Sequence, residues 1–234
     1  MRNPIIAALD VPTLDRAVAL VEKLSALVPT FKVGGELFTS AGPDVVRKLR
    51  ACGVAVFLDL KFHDIPNTVK SAVAAATRLD VQMLTVHCSG GLEMLRAAEA
   101  AAQETAAGLG VKPPLVLGVT VLTSMDSAAL EQIGVTSNVE RQVDRLAKLA
   151  VQAGLRGLVC SPLELPVLRK LLPPNVQLVT PGIRGWADVL GDQKRTMSAR
   201  EAVAAGADWL VIGRPICAAP DPRAAADQIL SSLK

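Results

Sequence analysis

The stretch VAVFLDLK (54–61) is a run of apolar residues that ends in charged ones. Seven other stretches share its character: they are nearly continuous apolar runs, without the alternation of a half-exposed strand. This pattern is typical of parallel strands that are covered on both faces. The seven are IIAALD (5–10), TFKVGG (30–35), QMLTVHC (82–88), LVLGVTVL (115–122), GLVCS (157–161), QLVTPGI (177–183) and WLVIGRP (209–215). We therefore predict eight strands.

Segments with helical spacing separate these runs, as in the apolar stripe Leu14, Ala17, Val18, Val21 and Leu24. Helix starts are expected at Thr13, Pro43, Pro66 and Ser198, and helix ends at Ala153-Gly154 and Ala205-Gly206. Eight strand–helix units without a shift in composition predict one closed (β/α)₈ TIM barrel over residues 1–234. An open doubly wound sheet is the alternative. It would usually carry GxGxxG after the first strand, where this chain has LDVPT.

The composition excludes several classes of protein. Half of the 234 residues are hydrophobic, which supports a sizeable core and excludes disorder. Aromatic residues make up only 3% and tyrosine is absent, which disfavours a protein that stacks nucleic-acid bases. The net charge of +3 is small and spread out, so it suits a small anionic molecule better than a nucleic acid.

The expected location is the cytoplasm, with no membrane association. Cys52, Cys88, Cys160 and Cys217 form no CxxC pair, as expected for small buried residues in a reducing compartment. The apolar run at the N-terminus meets Asp10 too early to act as a signal peptide. No stretch approaches the roughly 18 apolar residues of a membrane-spanning helix.

Charged residues follow three of the predicted strands, where a barrel of this kind carries its active site. Asp59 and Lys61 are two apart on one strand, so both are expected to face the barrel interior. Asp64 follows in the loop, where it could instead cap a helix. With Asp10 after strand 1 and Lys32 on strand 2, these residues predict five charges around one barrel mouth. Such an arrangement can place charge against a reacting group.

A phosphate site is predicted beyond the last two strands, where such barrels often bind phosphate. Strand 8 ends in IGRP (212–215), in which Gly213 lets backbone amides approach an anion and Arg214 can bind it bidentately. The loop PGIRGWADVLGDQKR (181–195) is long enough to be a lid, with Arg184 and Gln193 closing over the phosphate. The alternative is a surface excursion without a role in binding.

The segment LDLKFHDIPNT (58–68) resembles the signature of the orotidine 5′-phosphate decarboxylases, in the form of the compact bacterial enzymes. Further similar segments follow in order along nearly the whole chain. The DxKxxD core is shared by a wider group of barrel enzymes, whereas the KFHDIPNT extension is much more specific. The other segments are ALD (8–10), FKVG (31–34), TVHCSGG (85–91), VTVLTSM (119–125), TPGIR (180–184) and IGRPI (212–216).

The resemblance implies a role for each matching residue. Lys61 would donate a proton to the carbon that CO₂ leaves, Asp59 and Asp64 would crowd the substrate carboxylate, and Lys32 would organise the aspartates. Asp64 would come from the partner subunit of a homodimer. The residues expected to bind the substrate, orotidine 5′-monophosphate, are Asp10 at the ribose, Ile65, Thr68 and Thr123 along the nucleotide, and Arg184, Gln193, Gly213 and Arg214 at the phosphate.

No cofactor and no metal are expected. Loss of CO₂ from C6 of orotate leaves a carbanion in the ring plane with no ordinary electron sink, so the site must act by electrostatics. His63 and His87 are the only histidines, too few for a typical zinc or iron site. We interpret His63 as a hydrogen-bonding loop or interface residue and His87 as a packed barrel residue.

Two other functions remain open from the sequence. A sister enzyme on the same barrel would act on a sugar phosphate with Mg²⁺, for which Glu36 after strand 2 could be a ligand. A catalytically silent barrel could instead bind nucleotides as a sensor. The KFHDIPNT extension and the long loop argue against the first, and the complete set of charges argues against the second.

Overall fold

Eight parallel strands form a closed barrel in the computed structural model, which describes residues 3–136, 138–184 and 196–233, with the side chain of Arg184 excepted. The order around the barrel is β1-β2-β3-β4-β5-β6-β7-β10, and β10 pairs with β1 to close it. The barrel strands are β1 (Ile5–Ala8), β2 (Thr30–Gly34), β3 (Ala55–Phe62), β4 (Met83–His87), β5 (Leu115–Val119), β6 (Gly157–Val159), β7 (Gln177–Thr180) and β10 (Trp209–Ile212). All eight predicted strands are present, which confirms the (β/α)₈ barrel.

Helices connect successive strands on the outside of the barrel. Short 3₁₀ helices at Cys88–Gly90 and Pro162–Glu164 precede two of them. Over the described ranges the helices are α1 (Leu14–Leu24), α2 (Gly35–Ala41), α3 (Asp44–Ala51), α4 (Pro66–Arg78), α5 (Gly91–Leu109), α6 (Ser127–Gln132), α7 (Val139–Gln152), α8 (Leu165–Leu171), α9 (Ala199–Ala204), α10 (Arg214–Cys217) and α11 (Pro222–Ser232).

Local chemistry sets the helix ends where the sequence predicts them. The side chain of Thr13 accepts a hydrogen bond from the backbone N–H of Arg16, and Ser198 forms a reciprocal capping box with Glu201. At the other end of a helix, α7 stops at Ala153, and Gly154 follows with a φ of +93°, a conformation that glycine adopts without strain.

Strand alternation divides the apolar residues into two groups. Ile6 and Ala8 of β1 point into the barrel and pack with Phe57, Trp209 and other inward residues. The intervening residues of the strands face the surrounding helices and join the much larger core there. The inner group fills the lower barrel and leaves the upper end for polar side chains.

Several strands end earlier than the apolar runs suggested. The run 115–122 leaves the sheet after Val119, and the run 177–183 leaves it after Thr180. Ile183 belongs to a separate two-stranded parallel pair, β8 (Ile183–Arg184) with β9 (Met197–Ser198), which the sequence did not predict. The predicted boundaries were wrong there because apolar residues continue beyond the strands into loops at the barrel mouth.

Within the described ranges, no helix has both the length and the apolar character needed to cross a bilayer.

Candidate active site

A cavity of about 1040 Å³ opens at the carboxyl ends of the barrel strands. Its floor is apolar and includes Ala8, Phe57 and Val211, the upper members of the inner core. Charged side chains from three neighbouring strands stand above this floor. The cavity therefore combines an apolar surface for a planar ring with polar groups that can orient it.

Lys32 connects two aspartates on this side of the barrel. It lies on β2, between the strand that precedes Asp10 and the strand that carries Asp59. Its Nζ donates a hydrogen bond of 2.9 Å to Asp10 Oδ1 and lies 3.8 Å from Asp59 Oδ2. Gly34 keeps this space open, because a Cβ atom there would lie 3.0 Å from the Lys32 ammonium nitrogen.

Lys61 forms the other end of this set of charges. Its Nζ donates a hydrogen bond of 2.8 Å to Asp59 Oδ1. Asp10, Lys32, Asp59 and Lys61 thus form a chain of alternating sign, which we call the charge cluster. Burial is greatest in its middle: the Lys32 and Asp59 side chains are 10% and 14% exposed, whereas that of Asp10 is 62% exposed. Mutual pairing offsets the cost of burying these charges.

The backbone at Lys61 departs from regular strand geometry. Its φ of +49° is one of two positive values at non-glycine residues in the described structure, and the β3–β4 register shifts between Leu58 and Phe62. Asp59 and Lys61 do lie on one side, as predicted from their spacing. However, the strand is irregular at this point, so the regular alternation of side chains along a strand does not explain why they share a side. A non-glycine residue in this conformation costs on the order of 1–3 kcal/mol and persists only where its surroundings hold it.

Thr85 on β4 is a polar partner that the sequence analysis missed. Its side chain is fully buried. The hydroxyl accepts a hydrogen bond from the backbone N–H of Lys61 at 2.9 Å and donates one to Asp59 Oδ1 at 3.0 Å. A threonine within an apolar run is an ordinary strand residue, so the sequence held little signal for this contact.

Asp64 lies outside the charge cluster of its own chain. It is exposed, its Oδ1 accepts a hydrogen bond of 2.6 Å from the backbone N–H of Ile65, and it is not among the residues that line the cavity. It does not cap α4 either, because Ile65 occupies the N-cap position and no side chain caps that helix. Of the five charges expected at one barrel mouth, the four of the charge cluster therefore lie together within one chain, and Asp64 does not. Ile65 and Thr68 are also exposed and away from the cavity lining.

The residues predicted to bind phosphate lie beyond Asp10, where β10 closes the barrel against β1. Gly213 and Arg214 line the cavity, together with Thr123 and Gly182 from two neighbouring loops. A Cβ atom at Gly213 would lie 3.3 Å from Asp10 Oδ2, so this glycine lets the last strand pass close to the charge cluster. The side chain of Arg184, Gln193 and most of the predicted lid 181–195 lie outside the described residues.

Two histidines lie beside the charge cluster. The rings of His63 and His87 are 5.3 Å apart between centroids. Burial lowers the pKa of His87 from 6.5, and the nearby His63 and Lys61 lower it further, whereas Asp59 opposes the shift. His87 is therefore neutral at neutral pH, as suits a packed barrel residue.

The other candidate ligands and nucleophiles form no cluster at the site. Cys160 lines the cavity, whereas Cys52 is exposed and not buried as predicted. Burial raises the pKa of Cys88 and of Cys217 to about 12, so both are thiols at neutral pH. Glu36 is exposed in the first turn of α2 and does not line the cavity. In the part of the chain that the structure describes, no three His, Cys, Asp or Glu side chains are grouped as for a metal.

Comparisons with known proteins give a consistent result. The model of the Orotidine 5′-phosphate decarboxylase / HUMPS family matches residues 3–229. Orotidine 5′-phosphate decarboxylase of Opitutus terrae is 52% identical over 234 residues, which is all of both chains, and that of Moorella thermoacetica is 50% identical over all of this chain and 93% of its own. The crystal structure of the Lactobacillus acidophilus enzyme superposes with a TM-score of 0.87 at 36% identity, over all of both chains.

Proposed function

This chain belongs to the orotidine 5′-phosphate decarboxylase / HUMPS family, and on that premise we propose that it is a cytoplasmic carboxy-lyase. It converts orotidine 5′-monophosphate to uridine 5′-monophosphate in de novo pyrimidine biosynthesis, without a cofactor. The observation that supports this most directly is the Lys61–Asp59 hydrogen bond of 2.8 Å at the top of the barrel. Residues 1–234 act as one catalytic domain.

The proposed pose follows from the polarity of the cavity. The phosphate lies against Gly213 and Arg214, with Arg184 and Gln193 of the loop 181–195 closing over it. The ribose lies at Asp10, and the pyrimidine extends past Thr123 towards Lys61. A volume of about 1040 Å³ leaves ample room for a nucleotide.

The chemistry uses the charge cluster. The bond between C6 and the carboxylate carbon breaks, CO₂ leaves, and the electron pair remains on C6. The ammonium group of Lys61 stabilises this developing negative charge and then gives it a proton, after which solvent restores the ammonium form. Asp59 sets the position of Lys61 and places negative charge beside the leaving carboxylate. Lys32 holds Asp59 and Asp10 in place.

Binding of the remote phosphate contributes to the rate. Contacts at Gly213 and Arg214 are far from C6, so they do not act on the reacting bond directly. Their binding energy can offset the unfavourable approach of the substrate carboxylate to Asp59. This division assigns one end of the cavity to binding and the other to chemistry.

The proposal includes a homodimer with shared sites. Asp64, Ile65 and Thr68 follow Lys61 in sequence yet lie away from the cavity of their own chain. Ile65 is 67% exposed, which is unusual for an isoleucine and suits burial against a second copy. In a two-fold dimer, each chain would place these three residues at the mouth of the other's barrel.

The direct test is incubation of the purified chain with orotidine 5′-monophosphate, with chromatography of the nucleotides. We expect one uridine 5′-monophosphate for each substrate consumed. Turnover of a sugar phosphate instead would support the sister enzyme, and nucleotide binding without turnover would support a sensor. Either outcome would contradict the proposal.

A further inference from the structure

The register between β3 and β4 shifts beside Lys61. Leu58 pairs with Leu84 and Phe62 pairs with Val86, so three residues of β3 lie opposite a single residue of β4. The three are Asp59, Leu60 and Lys61, and the single residue is Thr85. Regular pairing would place one residue opposite one. The two extra residues form an irregularity that bends the strand at the point where the charge cluster begins.

The irregularity takes the backbone N–H of Lys61 out of the regular strand ladder. A buried N–H without an acceptor is costly, so another group must receive it. The Thr85 hydroxyl takes that place at 2.9 Å. It thereby ties the main chain of Lys61, in its left-handed conformation, to the neighbouring strand.

The same hydroxyl also orients the carboxylate. A hydroxyl has one proton to donate, and Thr85 donates it to Asp59 Oδ1 at 3.0 Å. The Lys61 ammonium group reaches the same oxygen at 2.8 Å. Because Oδ1 accepts both, Oδ2 is left towards Lys32 at 3.8 Å. The buried Thr85 hydroxyl oxygen therefore contacts both the backbone N–H of Lys61 and the carboxylate of Asp59.

We infer that Thr85 is a positioning residue for the decarboxylation: it holds the backbone of Lys61 and the carboxylate of Asp59 in the arrangement that protonation of C6 needs. The inference rests on the proposed function. Thr85 is fully buried and does not line the cavity, so it acts through these two residues and does not touch the substrate. Its loss should therefore affect the chemical step more than binding.

The test compares Thr85→Val, which keeps the shape and removes the hydroxyl, with Thr85→Ser, which keeps the hydroxyl. Thr77→Val is the matched control, because Thr77 is also buried and donates to the carbonyl of Val73 within α4. For Thr85→Val we expect kcat to fall about tenfold to a hundredfold with KM changed less than about threefold. Thr85→Ser should restore most of kcat, and Thr77→Val should leave it unchanged.

Further measurements separate positioning from a general loss of structure. The Kd of uridine 5′-monophosphate should be unchanged in every variant that folds. If the valine variant does not fold, Thr85→Cys replaces it, and its weaker hydrogen-bonding thiol should give a kcat below that of the serine variant. A wild-type kcat in Thr85→Val, or a serine variant no better than the valine or cysteine variant, would overturn the inference. A wild-type chain without turnover would instead overturn the proposed function.

Discussion

Lys61 Nζ lies 2.8 Å from Asp59 Oδ1, so the proposed proton donor is hydrogen-bonded to the carboxylate beside it in the charge cluster. This contact couples the two halves of the mechanism. In the proposed mechanism, the Lys61 ammonium group lies where negative charge would develop on C6, and the Asp59 carboxylate lies where the substrate would lose its carboxylate. The remaining members of the charge cluster, Lys32 and Asp10, continue the alternation of sign towards the proposed ribose position.

Arg214→Ala tests whether binding and chemistry are separate. Arg214 lines the cavity on a different loop from Lys61, so its loss should remove phosphate contacts only. We expect kcat/KM for orotidine 5′-monophosphate to fall roughly tenfold to several hundredfold, whereas Arg47→Ala, an exposed control on α3, should not change it.

Orotidine, which lacks the phosphate, is the decisive substrate for that variant. Wild type and Arg214→Ala should turn it over at similar low rates, because orotidine has no phosphate for Arg214 to bind. If Arg214→Ala lowers turnover of orotidine as much as turnover of the nucleotide, Arg214 acts at the reacting end or stabilises the fold. That result would contradict the phosphate assignment.

Complementation tests the shared site. Asp64→Asn and Lys61→Ala subunits should each be inactive alone. After mixing and subunit exchange, a mixed dimer has one site with both changes and one with neither. Random exchange at equal amounts should therefore restore about a quarter of wild-type activity, since half of the dimers are mixed and half of their sites are intact. Proven mixed dimers without recovered activity would show that each site is built from one chain.

The dependence of stability on pH should include a contribution from His87. Burial, followed by the charges of His63 and Lys61, lowers its pKa in the folded state, while the unfolded chain titrates near 6.5. The unfolded state thus binds more protons below that pH. Stability is present in full above about pH 6.5 and is lost as the pH falls through the lowered pKa of the folded state.

His87→Gln should reduce that loss. We expect the free energy of unfolding in urea to differ less between about pH 7.5 and pH 5.5 in the variant than in the wild type. An identical difference in both proteins would mean that His87 does not couple to folding in this range.

Metal removal should have no effect on turnover. In the proposed mechanism, the cation beside the reacting carbon is the Lys61 ammonium group, which is ion-paired with Asp59. We predict full activity in excess EDTA. A loss of activity that Mg²⁺ restores would favour the sugar-phosphate enzyme, for which Glu36 is the candidate metal ligand.

Much of this arrangement was predictable from the sequence because parallel strands leave a simple pattern. Continuous apolar runs predicted the eight strands, and charges at their carboxyl ends predicted that Asp10, Lys32, Asp59 and Lys61 would meet. The strand ends were less predictable, since apolar residues such as Val121 leave the sheet and line the cavity.

The irregular strand at Lys61 could not be predicted in the same way. A spacing of two residues predicts one shared face whether or not the backbone is regular. The sequence therefore predicts neither the left-handed φ of Lys61 nor the pairing of three residues of β3 with one of β4. The role of Thr85 depends on that pairing. The absence of Asp64 from the charge cluster depends on how the chain leaves β3, which local patterns do not determine.

We propose that Lys61 protonates C6 as CO₂ leaves, and release of CO₂ from carboxyl-labelled orotidine 5′-monophosphate measures this step. Labelled CO₂ is collected from wild type and from Lys61→Ala under identical conditions, and binding of uridine 5′-monophosphate is measured for both. We predict that wild type releases the label completely, while Lys61→Ala binds the product measurably but releases label at less than about a hundredth of the wild-type rate, within the 10²–10⁴-fold range of general acid catalysis. A Lys61→Ala protein that releases CO₂ faster than this would show that Lys61 is not the proton donor.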